Sequence, residues 1–258
     1  MNALTLVITT YNWPNALDLV MQCVSRQSIM PDEIIVADDG SAPQTADVIN
    51  RFRSIFPHVT IKHCWVPDTA NRPAVTRNRA ALSASSDYLV YIDGDCLISP
   101  NFLFWHRELA ERNVIVSGGR LLLNQMQTCQ LLKDSNLDYL KELRSFKLFG
   151  LRLPGLRKLI NNTVDVVRSC NLGIYRSDLI AIKGFDESYL GWAREDTDFV
   201  IRCARGGLSI KSGRLACNMA HLYHGGDAGR KSPNEWRLSA LLADKTRTDP
   251  IKSVFKDH

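Results

Sequence analysis

The residues best placed to do chemistry are Asp93 and Asp95, which flank a single glycine at the end of the apolar run Tyr88-Leu-Val-Tyr-Ile92. Alternate residues of an extended chain point the same way, so both carboxylates can face one pocket. Gly94 allows the sharp turn between them. Two carboxylates at the end of a buried strand are costly unless a cation compensates them. A divalent ion carrying a diphosphate would do so, because Mg²⁺ or Mn²⁺ prefers oxygen ligands and phosphate completes its shell. For Asp-Gly-Asp taken alone, a solvated turn that merely ends the strand stands beside that reading.

The surrounding elements must deliver this turn to a cleft. Short β-branched runs at 4–9, 34–37 and 59–65 read as strands, and helical spacing fills 15–25, 45–56 and 73–84. With the strand at 88–92 the order is β-α-β-α-β-α-β. This predicts an α/β fold with a Rossmann-like, mostly parallel central sheet and helices on both faces. Ligands of such sheets bind at the carboxyl ends of the strands. Three polar clusters fall there: 9–12, 38–41 and 93–95. Beyond them the pattern predicts helices at 100–112, 129–149, 177–182 and 197–205. Strands are expected at 114–118, within 163–175, at 209–211 and at 215–219, and residues 226–258 read as a helix with a loose tail.

The 258 residues suit one large domain, and a net charge of +5 without a dense basic stripe argues against nucleic acid as a partner. Seven scattered cysteines with no Cys-x-x-Cys favour free thiols in a reducing compartment over a disulfide framework or a zinc site. No leader pattern and no run of ~18 apolar residues is seen, so a cytoplasmic location is expected. The stretch 144–160 mixes large apolar residues with Arg144, Lys147, Arg152, Arg157 and Lys158 and contains no acid. It suits peripheral contact with an anionic membrane at its inner face, and equally a core helix followed by a linker.

Four motifs together give the chain a family likeness: Val7-Ile-Thr-Thr-Tyr-Asn12, Val36-Ala-Asp-Asp-Gly-Ser41, Thr76-Arg-Asn-Arg79 and Asp93-Gly-Asp95. With them the chain resembles the GT-A-fold, inverting glycosyltransferases of family 2. The segment Gly184 to Asp198 is similar to the carboxy-terminal part of β-1,4-galactosyltransferases and chondroitin-type polymerases. The resemblance implies a GT-A domain over 1–225, with a nucleotide-binding half (1–99) and an acceptor half (100–225). It implies that Thr9, Tyr11, Asp38 and Asp39 hold the nucleoside of a UDP-sugar. Arg77, with Arg79 as rival, would reach its diphosphate or base. Asp93 would position the ribose, and Asp95 would bind Mn²⁺ or Mg²⁺ with His224, or with His221 in its place. An imidazole ligand tilts the choice toward Mn²⁺. Asp196 matches the family's general base, Glu195 would orient acceptor hydroxyls, and Trp192 matches a tryptophan on a donor-covering loop. Arg194 departs from the small residue usual in that branch. The implied acceptor is a glycan or lipid-linked saccharide of a bacterial polysaccharide or lipopolysaccharide. Two other functions compete: a sugar-1-phosphate nucleotidyltransferase, which lacks its Gly-rich basic loop here, and a sugar-nucleotide-binding subunit without catalysis.

Overall fold

The computed structural model describes residues 3–68, 72–142, 167–191, 194–225 and 233–257. Among the described residues, eight strands form one sheet in the order β3-β2-β1-β4-β7-β6-β8-β5. They are β1 (Leu4–Thr10), β2 (Glu33–Asp38), β3 (Thr60–Trp65), β4 (Tyr88–Asp93), β5 (Cys96–Ile98), β6 (Val114–Leu122), β7 (Asn171–Tyr175) and β8 (Ser209–His221). The first four pair in parallel, β7 is antiparallel to both β4 and β6, and β6 returns to a parallel pairing with β8.

Strands β1, β2 and β4 are aliphatic and buried on both faces, as parallel strands covered by helices must be. Their alternating residues feed two cores. Leu4, Leu6 and Ile8 pack with α1 (Pro14–Ser25) and α2 (Pro43–Ile55). Val7 and Ile35 pack on the other face with α3 (Pro73–Ser83). Each of these helices carries proline in its first turn, where the missing N–H costs nothing. The register sets Thr9 beside Asp93 and Thr10 beside Asp38, so the three polar strand ends meet at one edge.

The second half follows, through α4 (Phe102–Leu109), with corrections to the sequence reading. The helix expected at 129–149 is α5 (Gln125–Asp134), followed by the single turn α6 (Tyr139–Glu142); residues 143–149 lie outside the described residues. Asn124 and Gln127 form a reciprocal capping box that starts α5 early, and Ser135 ends it in the left-handed region. After α7 (Arg176–Ala181), α8 (Glu195–Arg205) begins two residues before its expected start. The two short strands expected at 209–211 and 215–219 are one strand, β8, with a bulge where the register jumps from Gly118–Gly213 to Gly119–Asn218. A side chain at Gly118 would sit 2.2 Å from the Cys217 carbonyl oxygen, so the bulge requires glycine there.

The expected loose tail is packed over 233–257. Leu238 and Leu241 of α9 (Glu235–Ala243) and Phe255 are buried. Asp186 accepts the amides of Ile251 (2.7 Å) and Lys252 (3.2 Å), which pins a segment whose composition alone reads as loose. Among the described residues no helix is long and apolar enough to cross a membrane. The basic-apolar stretch 144–160 lies outside the described residues.

Candidate active site

The carboxyl ends of β1, β2 and β4 open into a cleft of about 790 Å³, within the ~300–1,000 Å³ usual for small-molecule sites. At its centre the Gly94 amide donates to the Thr9 carbonyl (2.7 Å), which draws the acidic turn against β1. Past the turn, β5 pairs with the end of β8, placing Cys96 opposite His221. This pairing brings distant histidines to Asp95. His221 Nε2 lies 3.5 Å from Asp95 Oδ1, and His224 Nε2 lies 3.6 Å from Oδ2. One ligand atom from each of the three falls within 4.8 Å of the others. His221 Nδ1 is 2.8 Å from the Leu222 carbonyl, which can only accept, so Nδ1 carries a proton and in the neutral ring Nε2 is the nitrogen with the lone pair. Burial raises the Asp95 carboxyl above its ordinary pKa; His221 opposes this and Asp93 adds to it. One buried carboxylate and two imidazoles, with room on the cleft side for phosphate oxygens, fit a divalent ion. The two histidines were read as alternatives, and the fold brings both to the same carboxylate.

At the other end of the cleft, Asp39 is buried. Its Oδ2 accepts the Arg72 amide (2.6 Å), while its Oδ1 and the Thr9 hydroxyl have no partner among the described residues. Burial raises the Asp39 carboxyl. Tyr11 lines the same end, half exposed, with its hydroxyl donating to Asp68 (2.9 Å). Asp38, expected with Asp39 at the nucleoside, is not among the residues that line the cleft. Its oxygens take His63 Nε2 (2.8 Å) and the Ser41 amide (2.8 Å). Burial pushes its pKa up, but these two partners together hold it below the ordinary value.

Arg77, expected at the diphosphate or base, lines the cleft with its side chain largely buried. It donates through Nη1 to Glu195 Oε1 (2.8 Å) and through Nη2 to Asp93 Oδ1 (3.2 Å). Its guanidinium lies over the Phe185 ring. It therefore clamps the acidic turn of β4 to the first residue of α8, and both carboxylates occupy it. Arg79, its rival, is exposed.

Glu195 and Asp196 open α8 directly after Arg194, whose φ of +84° turns the chain in. Burial raises the Glu195 carboxyl, and Arg77 opposes the rise. Asp196 is half buried in the cleft wall, its Oδ1 accepting the Thr197 amide at 2.7 Å. One turn on, Asp198 is fully buried between Arg202 (2.5 Å), Arg247 (3.1 Å) and the Tyr189 hydroxyl (3.2 Å), which fixes where the helix starts. Trp192 lies outside the described residues. Sequence reasoning missed the Asp198–Arg202 anchor, although its i,i+4 spacing was available. It also missed Arg120, Leu122, Arg168 and Tyr223, which line the cleft.

Residues 5–174 match the family described as Glycosyl transferase family 2, and residues 160–225 match the one described as N-terminal domain of galactosyltransferase. The first match spans well over half of the protein, and the chain belongs to glycosyltransferase family 2. It is 25% identical over 270 residues to validoxylamine A glucosyltransferase of Streptomyces hygroscopicus subsp. limoneus, covering 95% of this chain and 55% of that protein. It is 24% identical over 255 residues to chondroitin synthase of Escherichia coli, covering 91% of this chain and 36% of that protein. The chain thus spans less than two thirds of either relative. Among solved structures, S. aureus TarS 1-349 in complex with UDP-GlcNAc superposes with a TM-score of 0.67 at 15% identity, covering 99% of this chain and 69% of that one. Mannosyltransferase PcManGT from Pyrobaculum calidifontis, in complex with GDP-Man and Mn²⁺, gives 0.61 at 16%, covering 95% and 63%. At such identities the likeness establishes the fold, which is GT-A.

Proposed function

We propose that this chain is a metal-dependent, inverting glycosyltransferase that moves a sugar from a UDP-sugar to a hydroxyl of a glycan or lipid-linked saccharide. The observation that carries this reading is the meeting, in one cleft, of the Asp95–His221–His224 donor set with Asp196 on a fixed helix start. Asp39 Oδ1 and Thr9 Oγ1, which have no partner among the described residues, offer acceptors to a nucleoside. A uracil N–H satisfies the first, and the Tyr11 ring supplies a face for stacking. Asp95, His221 and His224 would hold the divalent ion, which when bound stabilises the charge of a departing diphosphate. Asp196 takes the proton of the acceptor hydroxyl as its oxygen attacks the anomeric carbon opposite the leaving group. One such displacement inverts the configuration. Glu195, held by Arg77 through one oxygen, turns its other toward acceptor hydroxyls. UDP as carrier is supported by the UDP-GlcNAc complex of TarS. A galactosyl or N-acetylhexosaminyl donor and a role in bacterial polysaccharide or lipopolysaccharide synthesis complete the reading; relatives named chondroitin synthase and O-antigen chain rhamnosyltransferase support the latter. Contact of 144–160 with an anionic membrane at its inner face belongs to the same proposal, and salt-sensitive co-sedimentation with anionic vesicles is its test.

The deciding experiment is a screen of UDP-sugars with Mn²⁺, reading UDP release. Release should stop on chelation and in Asp95→Ala. Full turnover in chelator would sink the metal role, and failure to bind any UDP-sugar would sink the donor assignment.

A further inference from the structure

We infer that Arg247, in the segment after α9, is a positioning residue for the reaction: it holds the first turn of α8 and thereby sets where Asp196 stands. The inference rests on the glycosyl-transfer reading above, in which Asp196 is the base, and adds a residue that is not among those lining the cleft. By itself α8 starts poorly. Arg194 precedes it in the left-handed region, no side chain caps it among the described residues, and Glu195, Asp196 and Asp198 share its first turn. A helix start without a capping side chain leaves amides to be satisfied elsewhere and frays readily. One acid there suits the helix dipole, but three together also repel one another. Glu195 is held by Arg77, and Asp198 by Arg202 and Arg247. Asp196 accepts from the amide and hydroxyl of its neighbour Thr197 (2.7 and 3.3 Å), bonds too local to fix the helix in space.

The segment after α9 supplies that fix by bracing α8 at both ends. Arg205, the last residue of α8, donates through Nη1 to the carbonyls of Leu241 (3.1 Å), Asp244 (2.8 Å) and Arg247 (3.3 Å). From there the Arg247 side chain reaches back to Asp198 Oδ2 (3.1 Å), about 10 Å nearer the helix start. Its guanidinium also lies 3.8 Å from Asp186 Oδ2. The next residue, Glu187, donates its amide to the Lys252 carbonyl (2.7 Å). Asn78, beside Arg77 on α3, bonds both the amide and the carbonyl of Phe185 (2.9 Å each). The segment, α8 and the helix that carries Arg77 therefore form one frame. Within it Asp198 is fully buried and the Arg247 side chain is 19% exposed, so this charge-assisted bond is largely shielded from water. Asp196 shares its helical turn with Asp198, and a shift of one moves the other. A misplacement of about 1 Å caused far from the chemistry can cost ~10²-fold in rate.

The test compares the full chain with Arg247→Met, Arg247→Lys and Ile49→Ala. Ile49 is fully buried in the core on the other face of the sheet from Phe199 of α8, so its truncation lowers stability without touching that helix. Two readouts are taken at a temperature where all four proteins are folded. One is NMR hydrogen exchange of the α8 amides without ligand; the other is kcat and KM for UDP-sugar, from UDP release with Mn²⁺. Arg247→Met should lower the protection of the Asp198 and Phe199 amides about tenfold or more, and that of Cys203 less. Its kcat should fall about tenfold or more with KM held, because Thr9 and Asp39 lie at the ends of β1 and β2, away from α8. Arg247→Lys, which keeps the charge but loses the fork, should recover part of both. Should Arg247→Met fail to fold, Arg247→Lys carries the comparison, with smaller losses of the same kind. Ile49→Ala should melt earlier and leave kcat and the α8 amides unchanged. Unaltered protection and kcat in the Arg247 variants overturn the inference. So does a kcat loss no greater than that of Ile49→Ala, which would make Arg247 purely structural, or a rise in KM with kcat held, which would tie the segment to the donor. If the wild type turns over no UDP-sugar, the transfer reading is what has failed and the catalytic part falls with it; the exchange data still decide whether Arg247 holds the helix start.

Discussion

Replacing Arg77 by methionine keeps an unbranched apolar stem and removes the charge that joins the acidic turn to α8. The Arg77 side chain is 4% exposed and that of Glu195 9%, against 31% for Asp93. Losing one partner of a buried pair costs roughly 3–5 kcal/mol. Solvent screens the Asp93 share, so the lower end applies, about 3 kcal/mol. At ~2–4 °C per kcal/mol for a chain of this size, the melting point should fall by roughly 6–12 °C. The loss should depend on pH. Glu195 already titrates above its ordinary value because it is buried. A carboxyl raised in the folded state contributes stability that is present below its unfolded pKa and lost as pH rises through its folded one. Without Arg77 that rise is larger, so the deficit of Arg77→Met should be smallest near pH 4 and grow toward neutrality. Urea unfolding of wild type, Arg77→Met, Glu195→Gln and the double variant between pH 4 and 8 measures this. The double variant should recover much of the loss at neutral pH, since no buried carboxylate is then left without its cation. If Arg77→Met unfolds within about 1 kcal/mol of wild type at every pH, or the double variant is no better than the single one, the clamp does not exist energetically.

Three further outcomes follow from the site and the tail. Asp196→Asn should lower kcat by ~10²–10⁴-fold while UDP-sugar affinity holds; lost donor affinity would move Asp196 to the donor site. His221→Ala and His224→Ala should each weaken Mn²⁺ binding, followed by its electron paramagnetic resonance signal, at least as much as the ~10–100-fold loss caused by outer-shell changes. An unchanged affinity in either variant removes that histidine from the ligand set. Phe255→Ala should cost ~3–5 kcal/mol in urea unfolding, because the ring is 2% exposed and packs where a side chain at Gly184 would collide with it. A cost below about 1 kcal/mol would mean that the tail packs without holding the core.

Much of the architecture is written locally. Aliphatic strands at 4–9, 34–37 and 88–92, each ending in a polar cluster, announce a parallel sheet with its ligands at one edge, because periodicity and turn chemistry act within a few residues. The acidic turn at Asp95 could be singled out for the same reason, and Asp39 and the Glu195-Asp196 pair through the family resemblance. What each side chain faces was not legible. Asp38 and Asp39 are adjacent on an extended chain and must point opposite ways, yet only the pairing of β2 with β3, which brings His63 to Asp38, decides which one looks into the cleft. That Arg77 meets Glu195 is decided only when α8 packs against it. That His221 and His224 both lie near Asp95 follows from the pairing of β5 with the end of β8, which the sequence does not show. Arg120 and Arg168 resemble any other exposed arginines in the sequence. A charge acquires a role only from what the fold brings within its reach, and those contacts join residues that lie far apart along the chain.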